Sequence, residues 1–174
     1  MSDMIQQELA WLKQIDEDVL LLAQQNGATS AEVSSTLEDG FAVNVRMGAL
    51  VTVEYHRDKA VGITVYFGQR KGTVSISDTS KQSLEKAVKA ACNIVKYTEE
   101  DQFAGLAEKK LIATYLPNLD LNYSWMIMPD EAIDKALDCE QYARSMDKRI
   151  VNSEGVSCST HQHFYVYANS NGFF

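Results

Sequence analysis

From residue 4 to residue 26, apolar side chains return every three or four positions: Ile5, Leu9, Leu12, Ile15, Val19 and Leu22. That spacing lays one apolar stripe along a helix, and Asn26-Gly27 supplies a left-handed stop. Asp16, Glu17 and Asp18 are read as its solvated side. Between residues 31 and 78 the period falls from 3.6 to 2. Phe41, Val43 and Val45 alternate with Ala42, Asn44 and Arg46; Val51, Val53 and Tyr55 alternate with Thr52, Glu54 and His56; Val61, Ile63, Val65 and Phe67 share a face, with Val74 and Ile76 beyond. Asp39-Gly40, Met47-Gly48, Arg57-Asp58-Lys59 and Lys71-Gly72 separate the runs and carry turn chemistry. The pattern predicts an antiparallel meander with one buried face, whose clearest hairpin is ALVTVEYHRDKAVGITVYF. Tyr55, Tyr66, Tyr165 and Tyr167 are read as sheet-packing aromatics.

A helical period resumes over residues 80–97, with Leu84, Ala87, Val88, Ala91 and Val95 as its stripe and Thr79 with Gln82 as a capping box. Residues 99–128 keep no period. Pro129-Asp130-Glu131 opens another helix, with proline in the first turn and acids at the positive dipole end. Ile133, Ala136, Leu137 and Ala143 give it an apolar face, and Arg144, Lys148 and Arg149 stand near its end. Residues 150–168 read as two strands or a bent hairpin turning near Asn152-Ser153-Glu154-Gly155.

These elements predict an α+β fold: a two-layer sandwich with an antiparallel meander sheet and helices packed on one face, followed by the start of a second α+β domain. The expected division is an N-terminal domain over 1–98, a connecting segment over 99–128, and the beginning of an incomplete second domain over 129–174. One helix and one hairpin are too little to build a core alone.

Composition narrows the classes. Hydrophobic residues are 45% and charged residues 23% of the 174, a globular balance. The net charge of −8 disfavours nonspecific nucleic-acid binding and an anionic membrane surface. No apolar run approaches the ~20 residues of a spanning helix, and the acidic, amphipathic N-terminus is no signal peptide. Three widely spaced cysteines, Cys92, Cys139 and Cys158, fit a reducing compartment, and the expected location is cytoplasmic.

The chemical signals are few. His161 and His163 would project from one strand face, as a pair able to face zinc, while Cys158 would point to the other face. Glu154, across a turn, is a candidate third ligand. The competing reading is an ordinary polar strand face, and no metal ligand is assigned beyond this minor alternative. Cys158 reads as a buried inert thiol, and His56 as a solvent-facing residue at a strand end. No H-E-x-x-H, G-x-S-x-G or P-loop occurs. Gly155 and Gly172 are expected at positive φ. An open sheet edge would accept an extended peptide as an added strand.

Several stretches in order, AVGITVYFGQRKGTVSISDTS, AVKAACNIVKYTEEDQFAGLAEKKL, PNLDLNY, PDEAIDKAL and DKRIVNSEGVSCSTHQHFYVYANSNGF, resemble the amino-terminal portion of TldD/PmbA proteins, and the PmbA (TldE) branch more than TldD. The resemblance covers most of the chain from about residue 40. It implies a bacterial cytoplasmic, noncatalytic subunit that pairs with a TldD-like catalytic subunit. The pair would act as a zinc-dependent peptidase on extended or unfolded peptides, including maturing peptide antibiotics and antitoxins. Zinc would sit in the partner, and this chain would hold no cofactor. The family's zinc ligands and catalytic glutamate map onto no residue here. Its older label, modulator of DNA gyrase, gains no support for DNA contact from the acidic charge. Family members are longer, so the resemblance implies an N-terminal fragment.

Under this reading Asn152, Glu154 and Gly155, in the expected hairpin, and Asn169 and Gly172, at the end of the last strand, are candidates for guiding substrate. Two other readings compete: a freestanding peptide- or protein-binding scaffold using its sheet edge, and a small metalloenzyme using His161 and His163.

Overall fold

A computed structural model describes residues 2–123 and 125–174; Ser124, within the expected connecting segment, lies outside them. The elements are α1 (Ser2–Gln25), β1 (Ser30–Arg46), β2 (Ala49–Phe67), β3 (Arg70–Ile76), α2 (Lys81–Val95), α3 (Pro129–Ser145) and β4 (Val156–Asn169), with a 3-10 turn at Lys109–Leu111. The strands form one antiparallel sheet in the order β3-β2-β1-β4. The α+β class with helices against a meander sheet is therefore as the sequence predicts.

The strand boundaries differ from expectation. Asp39-Gly40 does not end a strand: Ala31, Val33, Ser35 and Leu37 before it, and Phe41, Val43 and Val45 after it, are all buried. The inward phase is odd throughout, so the chain continues straight. Arg57-Asp58-Lys59 does not turn either, and the expected hairpin is the single 19-residue strand β2. Its charged side chains mark solvent exposure rather than reversal, since a strand satisfies its backbone through a neighbour whatever its side chains are. Reversal occurs at Met47-Gly48, as predicted, with both residues at positive φ (54° and 78°). The next reversal is at Gly68-Gln69, not Lys71-Gly72. Gly72 lies inside β3 opposite Val65, where a Cβ would stand 2.2 Å from the Ala91 carbonyl oxygen of α2. It permits close helix approach rather than a turn.

Contacts divide the chain into two units. One comprises Met1–Leu37, Asp58–Asn118 and His163–Phe174; the other comprises Glu38–Arg57 and Leu119–Gln162. β1, β2 and β4 contribute residues to both.

In the first unit, Ile15, Val19 and Ala23 of α1 and all five predicted stripe residues of α2 pack on Ala31, Val33, Val61, Ile63 and Val65. Asp16 is a correction: it is fully buried, not solvated. It lies four residues after Leu12 and three before Val19, which puts it inside the stripe. The cap of α2 is also one residue later than predicted. Ser80 accepts from the Ser83 N–H, and Asp78 holds the Ser80 N–H and the Ser83 hydroxyl. On the other sheet face, Glu32 accepts from the hydroxyls of Tyr66 and Tyr167 at 2.7 and 2.8 Å.

In the second unit, Ala132 and Ala136 of α3, with Ile133 and Leu137 beside them, cover Phe41, Val43 and Val45; Cys158 packs in this cluster. Glu131 accepts from the Met128 N–H at the start of α3. Ala143, expected on the apolar face, is exposed; the stripe ends instead in the buried Glu140. Residues 150–155 form no strand, so the expected second hairpin is the one strand β4.

Candidate functional site

β4 alternates cleanly. Its even positions face the helices, and Ser157, Ser159, His161, His163 and Tyr165 stand on the outer face. His161 and His163 thus share a face, opposite Cys158, as the spacing requires. His163 lies in the first unit, its ring centroid 6.5 Å from that of Tyr165.

His161, in the second unit, meets two residues that sequence spacing did not join to it. Its Nδ1 is 3.1 Å from Oε1 of Glu38 on β1. The same oxygen is 3.9 Å from Nε2 of His56 on β2, and the two imidazole centroids are 4.9 Å apart. One ligand atom from each of the three residues lies within 4.8 Å of the others. The sheet order explains the juxtaposition: β1 runs between β2 and β4, so one residue from each forms a row across three strands.

His56 is neither at a strand end nor fully solvent-facing. It sits within β2 with its side chain 26% exposed. Its Nε2 is buried and has no hydrogen-bond partner among the described residues. The space beside it depends on Gly40: a Cβ there would lie 2.9 Å from Nε2 and 2.1 Å from the Thr160 carbonyl oxygen. Glu154, the third ligand weighed from sequence, points elsewhere and pairs with Arg46 at 3.6 Å. A sequence signal for the true partners existed only in the residue types, since Glu38 and His56 are distant from each other in the chain and farther still from His161.

The candidates for guiding substrate separate into two groups. Asn152 and Glu154 stand in the second unit, Asn152 exposed and Glu154 with its side chain 86% exposed. Gly155 has φ 107°, and a Cβ there would come 2.3 Å from the Val45 carbonyl oxygen. In the first unit, Asn169 is buried, and its Oδ1 accepts from the N–H groups of Asn171 and Phe173 at 3.0 and 3.3 Å. It shapes the turn in which Gly172 adopts φ 94°. Both glycines have the positive φ expected.

β4 ends the strand order, and β3 pairs only with residues 61–67 of β2. Residues 49–60 of β2 therefore have no strand on that side among the described residues. Leu50, Val51, Val53 and Tyr55 are exposed along it.

All three histidines are on strands, and α1, α2 and α3 carry none. No helix of the described residues is long and apolar enough to cross a membrane.

Comparison with known proteins fits this architecture. Residues 31–95 match the model of PmbA/TldA metallopeptidase domain 1, and residues 122–174 match that of the PmbA/TldA metallopeptidase central domain. The chain is 43% identical over 161 residues to a metalloprotease PmbA homolog of Haemophilus influenzae, covering 92% of this chain and 36% of that protein. It is 44% identical over 142 residues to metalloprotease PmbA of Escherichia coli O157:H7, covering 82% and 32%. It thus spans about a third of the length of these relatives. A crystal structure from Bacteroides thetaiotaomicron described as a modulator of DNA gyrase superposes with TM-score 0.83 at 22% identity, over 92% of this chain and 37% of that one. TldE from Thermococcus kodakarensis gives TM-score 0.71 at 17% identity, over 91% and 35%. With two consecutive domain models of one family matched along its length, this chain belongs to the PmbA/TldD metallopeptidase family.

Proposed function

We propose that this chain acts as the N-terminal region of a noncatalytic PmbA/TldE-type subunit, which pairs with a TldD-like catalytic subunit and helps present extended or unfolded peptides to zinc held by that partner. The observation that carries the peptide reading is that β3 pairs with residues 61–67 of β2, while Leu50, Val51, Val53 and Tyr55, earlier on the same strand, are exposed. Its backbone groups offer sequence-tolerant hydrogen bonds to an added strand, and its side chains offer apolar contact. β4 offers a second edge, flanked by Asn152, Glu154 and Gly155 before it and by Asn169 and Gly172 at its end.

The three histidines of this chain are all on strands, and burial pushes the Cys92 thiol up, away from the nucleophilic thiolate. In the partner, metal-activated water would attack the peptide carbonyl. In this chain the residues bind and orient. The similarity to PmbA proteins supports the pairing.

The test is co-purification of a TldD-type protein with this chain and with the full-length relative, followed by cleavage of an unfolded peptide with and without them. Association together with altered cleavage is expected. Failure of the full-length form to do either defeats the reading. Peptide binding by the chain with no such association would favour the freestanding scaffold.

A further inference from the structure

We propose that Glu38, His56 and His161 form a binding site for a single first-row divalent cation of the zinc class, set across β2, β1 and β4 and separate from any zinc in a catalytic partner.

The donor set is the first argument. Two imidazoles and one carboxylate match the three-ligand sets that zinc takes when a fourth position stays open. Imidazole disfavours calcium and magnesium, which take oxygen ligands, and the lack of thiolate disfavours soft monovalent copper.

The geometry is the second. Ligand atoms around tetrahedral zinc lie about 3.3 Å apart when each bond is about 2.0 Å. Here one edge is 3.1 Å and another 3.9 Å, and all are within 4.8 Å. Side-chain rotation alone would close the triangle. The three residues reside on adjacent paired strands, so the backbone already fixes their spacing.

The unpaired nitrogen is the third. A buried imidazole nitrogen without a partner costs free energy unless something fills the gap. Nε2 of His56 is in that position, aimed at the carboxylate that His161 also contacts. Both imidazoles meet the Glu38 carboxylate. A cation would satisfy the nitrogen and neutralise the carboxylate together. Gly40 keeps the adjoining space free of side chain. The exposure of His161 provides an entry path and leaves room for water as the remaining ligand.

An ion held this way would tie three strands together, and binding to the folded form alone would raise stability by mass action. The ligands come from residues 38, 56 and 161, so the site is absent from the unfolded chain.

The experiment is titration of the chelator-washed 174-residue chain with Zn2+ by calorimetry, in a Cys139→Ser background that removes the exposed thiol. One ion per chain is expected, together with a higher melting temperature. His56→Gln, His161→Gln and Glu38→Gln should each weaken binding by roughly 10-fold to 100-fold or more. His163→Gln should leave it unchanged. His161 is half-exposed, so its variant will fold even if that of His56 does not. Co2+ in place of Zn2+ should give low-symmetry ligand-field absorption without a thiolate charge-transfer band, since Cys158 faces the helix side. Absence of saturable binding, binding that survives His161→Gln, or dependence on His163 or Cys158 would each overturn the proposal. The titration needs no partner subunit, so its outcome is independent of the peptidase pairing.

Discussion

Glu140 of α3 holds the turn that begins at Met47: its Oε1 accepts from the Met47 N–H at 2.8 Å, while Oε2 accepts from the adjacent Gly48 N–H at 2.6 Å. One buried carboxylate thus satisfies both amides of the two-residue reversal between β1 and β2. The Ser153 hydroxyl, the Gly48 and Met47 amides and the Arg144 charge hold its pKa below the ordinary glutamate value. A lowered pKa means that the folded state favours the ionised form, so this stabilisation is present above the unfolded value and lost as pH falls through the folded one. Glu140→Gln places an amide donor against two N–H donors. Its melting temperature at pH 7 should fall by roughly 3–6 °C, and the gap from wild type should narrow below pH 4.5, the ordinary glutamate value. Thermal unfolding followed by circular dichroism across pH checks both.

Asp16 works in the opposite sense. Its carboxylate oxygens are buried without a hydrogen-bond partner among the described residues, and the adjacent Ser35 hydroxyl donates to the Leu12 carbonyl at 3.5 Å. Burial pushes its pKa up to about 7, with the Ser35 hydroxyl opposing the shift. The folded form therefore holds a proton that the unfolded chain has released above pH 3.8, and stability falls as pH rises from there to about 7. Asp16→Asn should remove that slope and stabilise the protein by on the order of 1–2 kcal/mol at pH 8. Denaturant melts at pH 5 and pH 8 decide it: an equal effect at the two values would contradict the assignment.

Gly40 and Gly48 separate two reasons for glycine. A Cβ at Gly40 would meet the Thr160 carbonyl oxygen at 2.1 Å and the His56 ring at 2.9 Å, whereas Gly48 has open space but φ 78°. Gly40→Ala must shift backbone, at a cost of about 2–4 kcal/mol. Gly48→Ala incurs only the left-handed penalty, about 1–2 kcal/mol. Chemical denaturation of the two variants should rank them in that order; the reverse ranking would show that β1 and β4 can separate at little cost.

Much of the local structure was legible in residue order. The stripes of α1 and α2, the alternating faces of β1 and of β2 from Val61 onward, the Met47-Gly48 reversal and the opposition of Cys158 to His161 all follow from fixed geometric periods, whereas Val51, Val53 and Tyr55, expected on the buried face, are exposed. Turn residues misled where glycine and charge served other ends. Gly40 and Gly72 admit close neighbours, and Arg57-Asp58-Lys59 is an exposed stretch of a strand. Sequence alone does not distinguish a glycine that bends the chain from one that makes room for another backbone, because the reason lies in the other backbone.

The site shows the same division. His161 is visible in the sequence as a possible ligand, and the nearest candidate partners in the chain are His163 and Glu154. Pairing of β1 between β2 and β4 supplied Glu38 and His56 instead, and burial took Asp16 and Glu140 out of faces that composition alone would leave in water. The sequence by itself determined the α+β class, the helix stripes and the family, because local periods and ordered motifs are carried by neighbouring residues. The tertiary structure alone decided which distant side chains meet and which charges lose their solvent, because those depend on strand order and packing between segments far apart in the chain.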